Sequence, residues 1–168
     1  MNGRVIWFTG LPASGKTTLS LRLQTRLQQL GLPCCTLDGD TMRAILCQKL
    51  GYSDEERAEF YGILSRLAAE LAAQGLIVLV PATAHLRAYR QHARALTPRF
   101  LEVWVKTSLE ECRKRDPKGL YEIAAKIHGH LPGADLPYEA PLQAELTAEG
   151  GKDDLALERL VSFLRIEP

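Results

Sequence analysis

Eight residues near the start of the chain, Gly10-Leu11-Pro12-Ala13-Ser14-Gly15-Lys16-Thr17, fit G-x-x-x-x-G-K-[ST] at every fixed position. They follow an apolar run over residues 4–8 that reads as a strand. They precede Leu19, Leu23, Leu27 and Leu30, spaced as the buried stripe of a helix, with Gly31 as its stop. In that setting each position has physical work to do. The glycines allow a backbone that aims successive N–H groups at phosphate oxygens, and the helix start adds its positive end. Lys16 supplies a point charge, and the Thr17 hydroxyl can ligate a divalent cation. The bland reading, a glycine-rich turn with an accidental lysine, does not account for the strand before the loop and the helix after it.

The rest of the chain alternates short apolar runs with helical patterns, which points to an α/β fold built on a parallel sheet flanked by helices. Further strands are expected over 34–37, 76–80 and 100–105. The run at 76–80 is apolar throughout, as suits a central strand covered on both faces. Asp40 is expected to cap a short helix ending near Cys47. Ser53 and Glu56 have capping-box spacing for a long helix with Phe60, Leu64, Leu67 and Leu71 facing inward. Helices are also expected over 86–96, after the Ser108/Glu111 pair, from Asp116 with Pro117 in the first turn, and over 153–166. The proline- and glycine-bearing stretch 129–141 reads as a surface loop of functional type. No linker or repeat divides the chain, so one domain over 1–168 is expected.

Composition narrows the partners. Twenty-one Lys and Arg against 20 Asp and Glu leave no global basic field for nucleic acid or a membrane surface. No apolar run approaches the roughly 20 residues that span a bilayer. Cys34, Cys35, Cys47 and Cys112 have neither C-x-x-C spacing nor a histidine at zinc-site spacing, and no signal-peptide pattern opens the chain. A cytoplasmic protein with reduced cysteines is expected. His128 and His130 lack a third ligand and make a poor zinc site, and His85 and His92 read as surface residues on or before a polar helix. Trp7 and Trp104 fall in strands and read as core.

A second acidic station, Asp38-Gly39-Asp40, follows the second strand, where strand ends of a parallel sheet converge on a ligand. A carboxylate there can hold Mg²⁺ or orient a hydroxyl that attacks the γ-phosphate of ATP. Turn and cap chemistry accounts for the same residues without function.

Five segments then occur in a telling order: residues 10–18 (GLPASGKTT), 37–43 (LDGDTMR), 50–53 (LGYS), 113–121 with the core RDPKGLY, and 137–141 (PYEAP). Together they resemble the adenylylsulfate kinase (APS kinase) family of P-loop kinases. The resemblance runs from about Val5 to Leu146. It implies a three-layer P-loop NTPase fold and transfer of the γ-phosphate of ATP to the 3′-hydroxyl of adenosine 5′-phosphosulfate. ATP then lies on Gly10, Ala13, Ser14, Gly15, Lys16, Thr17 and Thr18, with Arg115 as a lid arginine near its base. Mg²⁺ is held by Thr17 and Asp38, and Lys16 and Asp38 are the catalytic pair. The resemblance also places Asp40, Arg43, Tyr52, Arg57 and Lys118 at the acceptor, with Tyr52 stacking on its base. Related kinases often pair, so a homodimer is compatible with the resemblance, though no residue requires it.

Departures fall on the acceptor side. Where the family has E-N-I-R-R, with an Asn that touches the acceptor, this chain has Glu59-Phe60-Tyr61-Gly62-Ile63. The family's I-S-P, whose serine some members phosphorylate, is Thr83-Ala84-His85, and its F-T-G loop reads approximately Leu131-Pro132-Gly133. Three readings therefore stand at this point: an APS kinase, a relative that phosphorylates another small anionic acceptor such as a cytidine diphosphate derivative, and a non-catalytic nucleotide-binding module.

Overall fold

Parallel strands buried on both faces need helices on both sides, and this chain supplies them in order. The computed structural model describes residues 3–127 and 130–166. β1 (Arg4–Thr9), β2 (Cys34–Thr36), β3 (Ile77–Pro81), β4 (Phe100–Val105) and β5 (Leu146–Ala148) form one parallel sheet in the order β2-β3-β1-β4-β5. β1 is central and wholly buried. Its residues alternate between two cores, as the two-residue period of a strand requires. Ile6 and Phe8 pack with α1 (Lys16–Gln29) and with Leu157, Leu160 and Val161 of a C-terminal helix. Val5 and Trp7 pack on the other face with Phe60, Tyr61, Leu64 and Ala93. The result is a three-layer P-loop NTPase fold.

After β3 the chain crosses from one side of β1 to the other, and the loops following β1, β2 and β3 open on one edge of the sheet. That edge is where ligands bind in open α/β sheets. Between the strands lie α2 (Gly39–Leu46), α3 (Asp54–Ala73), α4 (Arg87–Leu96), α5 (Leu109–Arg115) and α6 (Leu120–Ile127). α7 (Asp154–Ile166) closes the chain.

Several expectations change in physically instructive ways. Asp38, not Asp40, caps α2: its carboxylate accepts from the Thr41 amide at 3.1 Å, leaving Asp40 in the first turn. The capping box of Ser53 and Glu56 forms in full. The Ser108 hydroxyl likewise accepts from the Glu111 amide, but the Glu111 carboxylate turns to Arg115 instead of closing the box. The buried face of α3 runs through Phe60, Tyr61, Leu64, Ser65, Ala68 and Ala72, so the expected Leu67 and Leu71 are only partly buried at its margin.

α6 begins at Leu120, four residues later than expected. Asp116 still serves it, because its carboxylate accepts from the Leu120 and Tyr121 amides at 2.8 and 3.0 Å. Pro117 and Lys118 are thereby left in a turn before the helix. The sequence pattern does not predict β5. Its three residues are too few to show a period, and it exists because Val103–Val105 offers an unpaired edge.

His85 is not a surface residue: it is 2% exposed, packed edge-on against the Tyr89 ring, whereas His92 is exposed. Trp7 is core, but Trp104 is half-buried with the Lys106 ammonium over its ring. Cys47 and Cys112 are buried, Cys34 and Cys35 half-buried, and all four are free thiols. Among the described residues no helix is long and apolar enough to cross a membrane. No cluster of three metal-ligating side chains exists among them, and His128 lies outside the described residues.

Candidate active site

The loop between β1 and α1 has the backbone its sequence dictates. Gly10 and Gly15 adopt φ of 155° and 101°, and Ala13 also takes a positive φ of 63°. A side chain at Gly10 would sit 2.5 Å from the Val105 carbonyl, and one at Gly15 would sit 2.5 Å from the Gly151 amide. Only glycine fits either place. The same packing sets Gly151 against Thr18, and Arg115 approaches Gly150. Ser14 is buried, with the Thr107 hydroxyl donating to its carbonyl at 2.8 Å.

Lys16 curls over this loop, donating to the carbonyls of Gly10 at 3.0 Å and Leu11 at 2.7 Å. It is almost fully buried. Burial pushes its ammonium down from 10.5 to about 8, against the smaller upward pull of the Asp40 and Asp38 carboxylates. Phosphates beside it would reverse that shift.

Thr17 and Asp38 come from different strand ends, and the structure brings them together: the Thr17 hydroxyl donates to Asp38 Oδ2 at 3.0 Å. The other oxygen, Oδ1, accepts from the Thr41 amide and hydroxyl, which holds the carboxylate at the mouth of the phosphate loop. A hydroxyl beside a carboxylate is an all-oxygen donor pair, the chemistry that suits a hard cation such as Mg²⁺.

The residues expected at the acceptor line the adjacent rim. Lys118, in the turn before α6, is ion-paired with Asp40 at the start of α2, so these two residues meet across the cleft. That hydrogen bond to Asp40 raises the Lys118 ammonium above its usual value. Tyr52 is 58% exposed, and the guanidinium groups of Arg43 and Arg57 lie 4.7 and 5.1 Å from its ring centre. Arg57 is 5% exposed and donates to the carbonyls of Tyr52 at 3.0 Å and His130 at 2.6 Å. Much of its hydrogen-bonding capacity therefore pins the 130s loop to the start of α3. Arg115, expected as a lid arginine, is paired with Glu111 at 2.9 Å.

Two tyrosines that the sequence motifs carry, but do not mark as site residues, anchor the cleft. Tyr121 ends RDPKGLY, and its hydroxyl donates to the Pro12 carbonyl at 2.9 Å, tying α6 to the phosphate loop. Tyr138 lies in PYEAP and shares a hydrogen bond with Thr9 at 3.0 Å, while Thr9 donates to the Thr83 carbonyl at 2.7 Å. Both anchors fix loops around the cleft. The turn at Ala84 is held just as firmly: Ala84 takes φ of 41°, its amide donates to the Tyr61 hydroxyl, and its carbonyl accepts from Arg90. Ala84 offers no hydroxyl to phosphorylate.

A parallel sheet, a glycine-built phosphate loop and a Thr–Asp pair at the next strand end define a P-loop phosphotransferase. The sequence profile for adenylylsulphate kinase matches residues 2–149. The chain is 43% identical over 163 residues to an adenylyl-sulfate kinase of Vibrio vulnificus, covering 95% of this chain and 78% of the relative. It is 44% identical to the bifunctional enzyme NodQ of Azospirillum brasilense, where it spans 95% of itself and 27% of that longer protein. The Mycobacterium tuberculosis APS kinase CysC, solved with AMPPNP and APS, superposes with a TM-score of 0.89 at 37% identity, covering 97% of this chain and 98% of the other. This chain belongs to the adenylylsulphate kinase family.

Proposed function

We propose that the protein is an adenylylsulfate kinase, transferring the γ-phosphate of ATP to the 3′-hydroxyl of adenosine 5′-phosphosulfate. The observation that carries the reading is the Thr17–Asp38 contact at 3.0 Å beside the phosphate loop, in a chain similar to these kinases over nearly its whole length. The N–H groups of residues 10–18 cradle the phosphates, and Lys16 exchanges its loop carbonyls for β- and γ-phosphate oxygens. Thr17 and Asp38 hold Mg²⁺. When bound, the cation neutralises charge on the β- and γ-phosphates. Asp38 also orients the attacking hydroxyl and accepts its proton. Arg115 packs near the ATP base. Arg43, Arg57 and Lys118 grip the acceptor's anionic part, with Tyr52 under its base and Asp40 beside it at the acceptor. Lys118 has to exchange Asp40 for that anion, because the two are paired here. Both substrates are small molecules, and the four free thiols suit a cytoplasmic setting.

The buried state of Lys16 predicts a pH dependence. Its ammonium, at about 8 in the free protein, must be charged to meet the triphosphate. Binding therefore takes up protons near pH 8, and affinity falls as pH rises through that value. Between pH 7 and pH 9 the Kd for magnesium–ATP should weaken by about tenfold. Titration calorimetry in buffers of different ionisation heat reads both effects. A Kd unchanged over that range would contradict the protonated role of Lys16.

The function itself is tested by ADP release from ATP and Mg²⁺ as adenosine 5′-phosphosulfate is added. Saturable turnover supports it. Silence in protein that binds ATP would redirect the search to other acceptors, cytidine-linked ones first.

A further inference from the structure

Phe60 does something at the acceptor rim that its burial alone does not require. The ring is 2% exposed and belongs to the core that Tyr61 and Leu64 share. Yet its face is turned to a cation: the Arg43 guanidinium carbon lies 4.1 Å from the Phe60 ring centre, closer than to Tyr52 at 4.7 Å. The geometry follows from the helix. Phe60 lies three residues beyond Arg57 on α3, so the two share a face, and Tyr52 sits just before the helix cap. Arg43 reaches that face from the last turn of α2.

No residue of α2 is buried and Met42 packs only partly against the core, so the helix does little by itself to fix the Arg43 guanidinium. The guanidinium donates one hydrogen bond among the described residues, Nη1 to the Gly51 carbonyl at 2.9 Å. An aromatic face sets the plane of a guanidinium without using its N–H donors. A polar side chain in the place of Phe60 would compete for them. Seated over the Phe60 ring, Arg43 keeps its remaining donors for an anion. The Phe60 ring is itself braced, 5.2 Å from Tyr61, whose hydroxyl accepts from the Ala84 amide. The exposed rim is thus connected to the strained turn after β3 through Arg43, Phe60 and Tyr61.

We propose that Phe60 is the positioning residue for Arg43: its ring holds the guanidinium flat at the rim so that the free N–H groups face the acceptor's anionic group. This rests on the proposed function. Phe60 touches no substrate, and its effect on the acceptor passes through Arg43.

The test is steady-state kinetics with both substrates for Phe60→Leu, which keeps apolar volume and removes the π face. The KM for adenosine 5′-phosphosulfate should rise about 5- to 30-fold, the loss expected for a partly desolvated cation–π contact, while the KM for ATP stays put. Phe60→Tyr, which retains the face, should restore most of the acceptor KM. In an Arg43→Ala background, Phe60→Leu should change the acceptor KM by less than about twofold, since coupled residues are not additive. If Phe60→Leu does not fold, Phe60→Met, whose flexible side chain fills irregular space, takes its place.

Equal shifts in both KM values, or full additivity with Arg43→Ala, would mean that Phe60 is core and nothing more. Wild-type turnover is read first. Its absence overturns the proposed acceptor and the role of Phe60 toward it. Wild-type turnover with an unaltered acceptor KM in Phe60→Leu overturns the role of Phe60 alone.

Discussion

Lys16→Ala should lower kcat by about a thousandfold or more while the protein stays folded. Single preorganised groups that meet developing charge contribute on the order of 10²- to 10³-fold, and a lysine that also binds the ground-state triphosphate contributes at or above that range. Stability should move the other way. The Lys16 ammonium is buried and depressed from 10.5 to about 8, so the folded state holds a charge it disfavours. Because the folded value lies below the unfolded one, the penalty is full below pH 8. It is relieved as pH rises from about 8 towards 10.5. Its size is on the order of 3 kcal/mol. Lys16→Met, which keeps the stem and removes the charge, should therefore melt at or above the wild-type temperature at pH 7 and still be inactive. A lysine kept at a cost to stability is expected of a group whose partner arrives with the ligand. Substantial turnover in Lys16→Ala would remove the phosphate site from this loop.

Asp38→Asn should be nearly as damaging for a different reason. Asp38 has two duties that one substitution can separate. Its Oδ1 caps α2 through Thr41, and its Oδ2 meets the Thr17 hydroxyl. Asparagine is as good a cap as aspartate, so Asp38→Asn should leave the melting temperature within a few degrees of wild type. It cannot supply the charge that holds the cation or take a proton, and kcat should fall by about 10²- to 10³-fold. Asp38→Ala removes both duties and should cost about 1 kcal/mol of stability besides. The comparison of the two melts, with kcat measured on the same preparations, separates cap from catalyst. An active Asp38→Asn would leave Asp38 as a cap only.

The phosphate loop and the parallel sheet were legible in the sequence because short-range rules govern them. A glycine needed for a positive φ, a strand apolar throughout and a Ser–Glu capping box each write themselves locally. Asp38 is legible as a site residue, but the sequence does not tell which aspartate caps α2, because a D-G-D string permits either carboxylate to fold back. Only the turn geometry decides between them. β5 was invisible since its existence depends on the open edge of β4, and an edge is a tertiary fact. His85 read as a surface residue because it precedes a polar helix. Its burial comes from α4 folding down on α3, where Tyr89 stacks on Tyr61 at 4.8 Å. The acceptor rim shows the same limit. The sequence presents Phe60 as a departure on an apolar stripe, and the stripe explains its burial. That its ring also carries Arg43 depends on where α2 is laid, which no residue of α2 specifies alone. Tyr121 and Tyr138 sat in recognisable motifs, but their targets, Pro12 and Thr9, lie more than a hundred residues away.

The central claim is the identity of the acceptor and of the oxygen that receives the phosphoryl group. The most direct measurement is phosphorus NMR of the product after incubating purified protein with ATP, Mg²⁺ and adenosine 5′-phosphosulfate. The account predicts one new phosphomonoester resonance, coupled to the ribose 3′ proton and accumulating in step with ADP. ADP released with inorganic phosphate alone, or no ADP at all from protein that binds ATP, would contradict it.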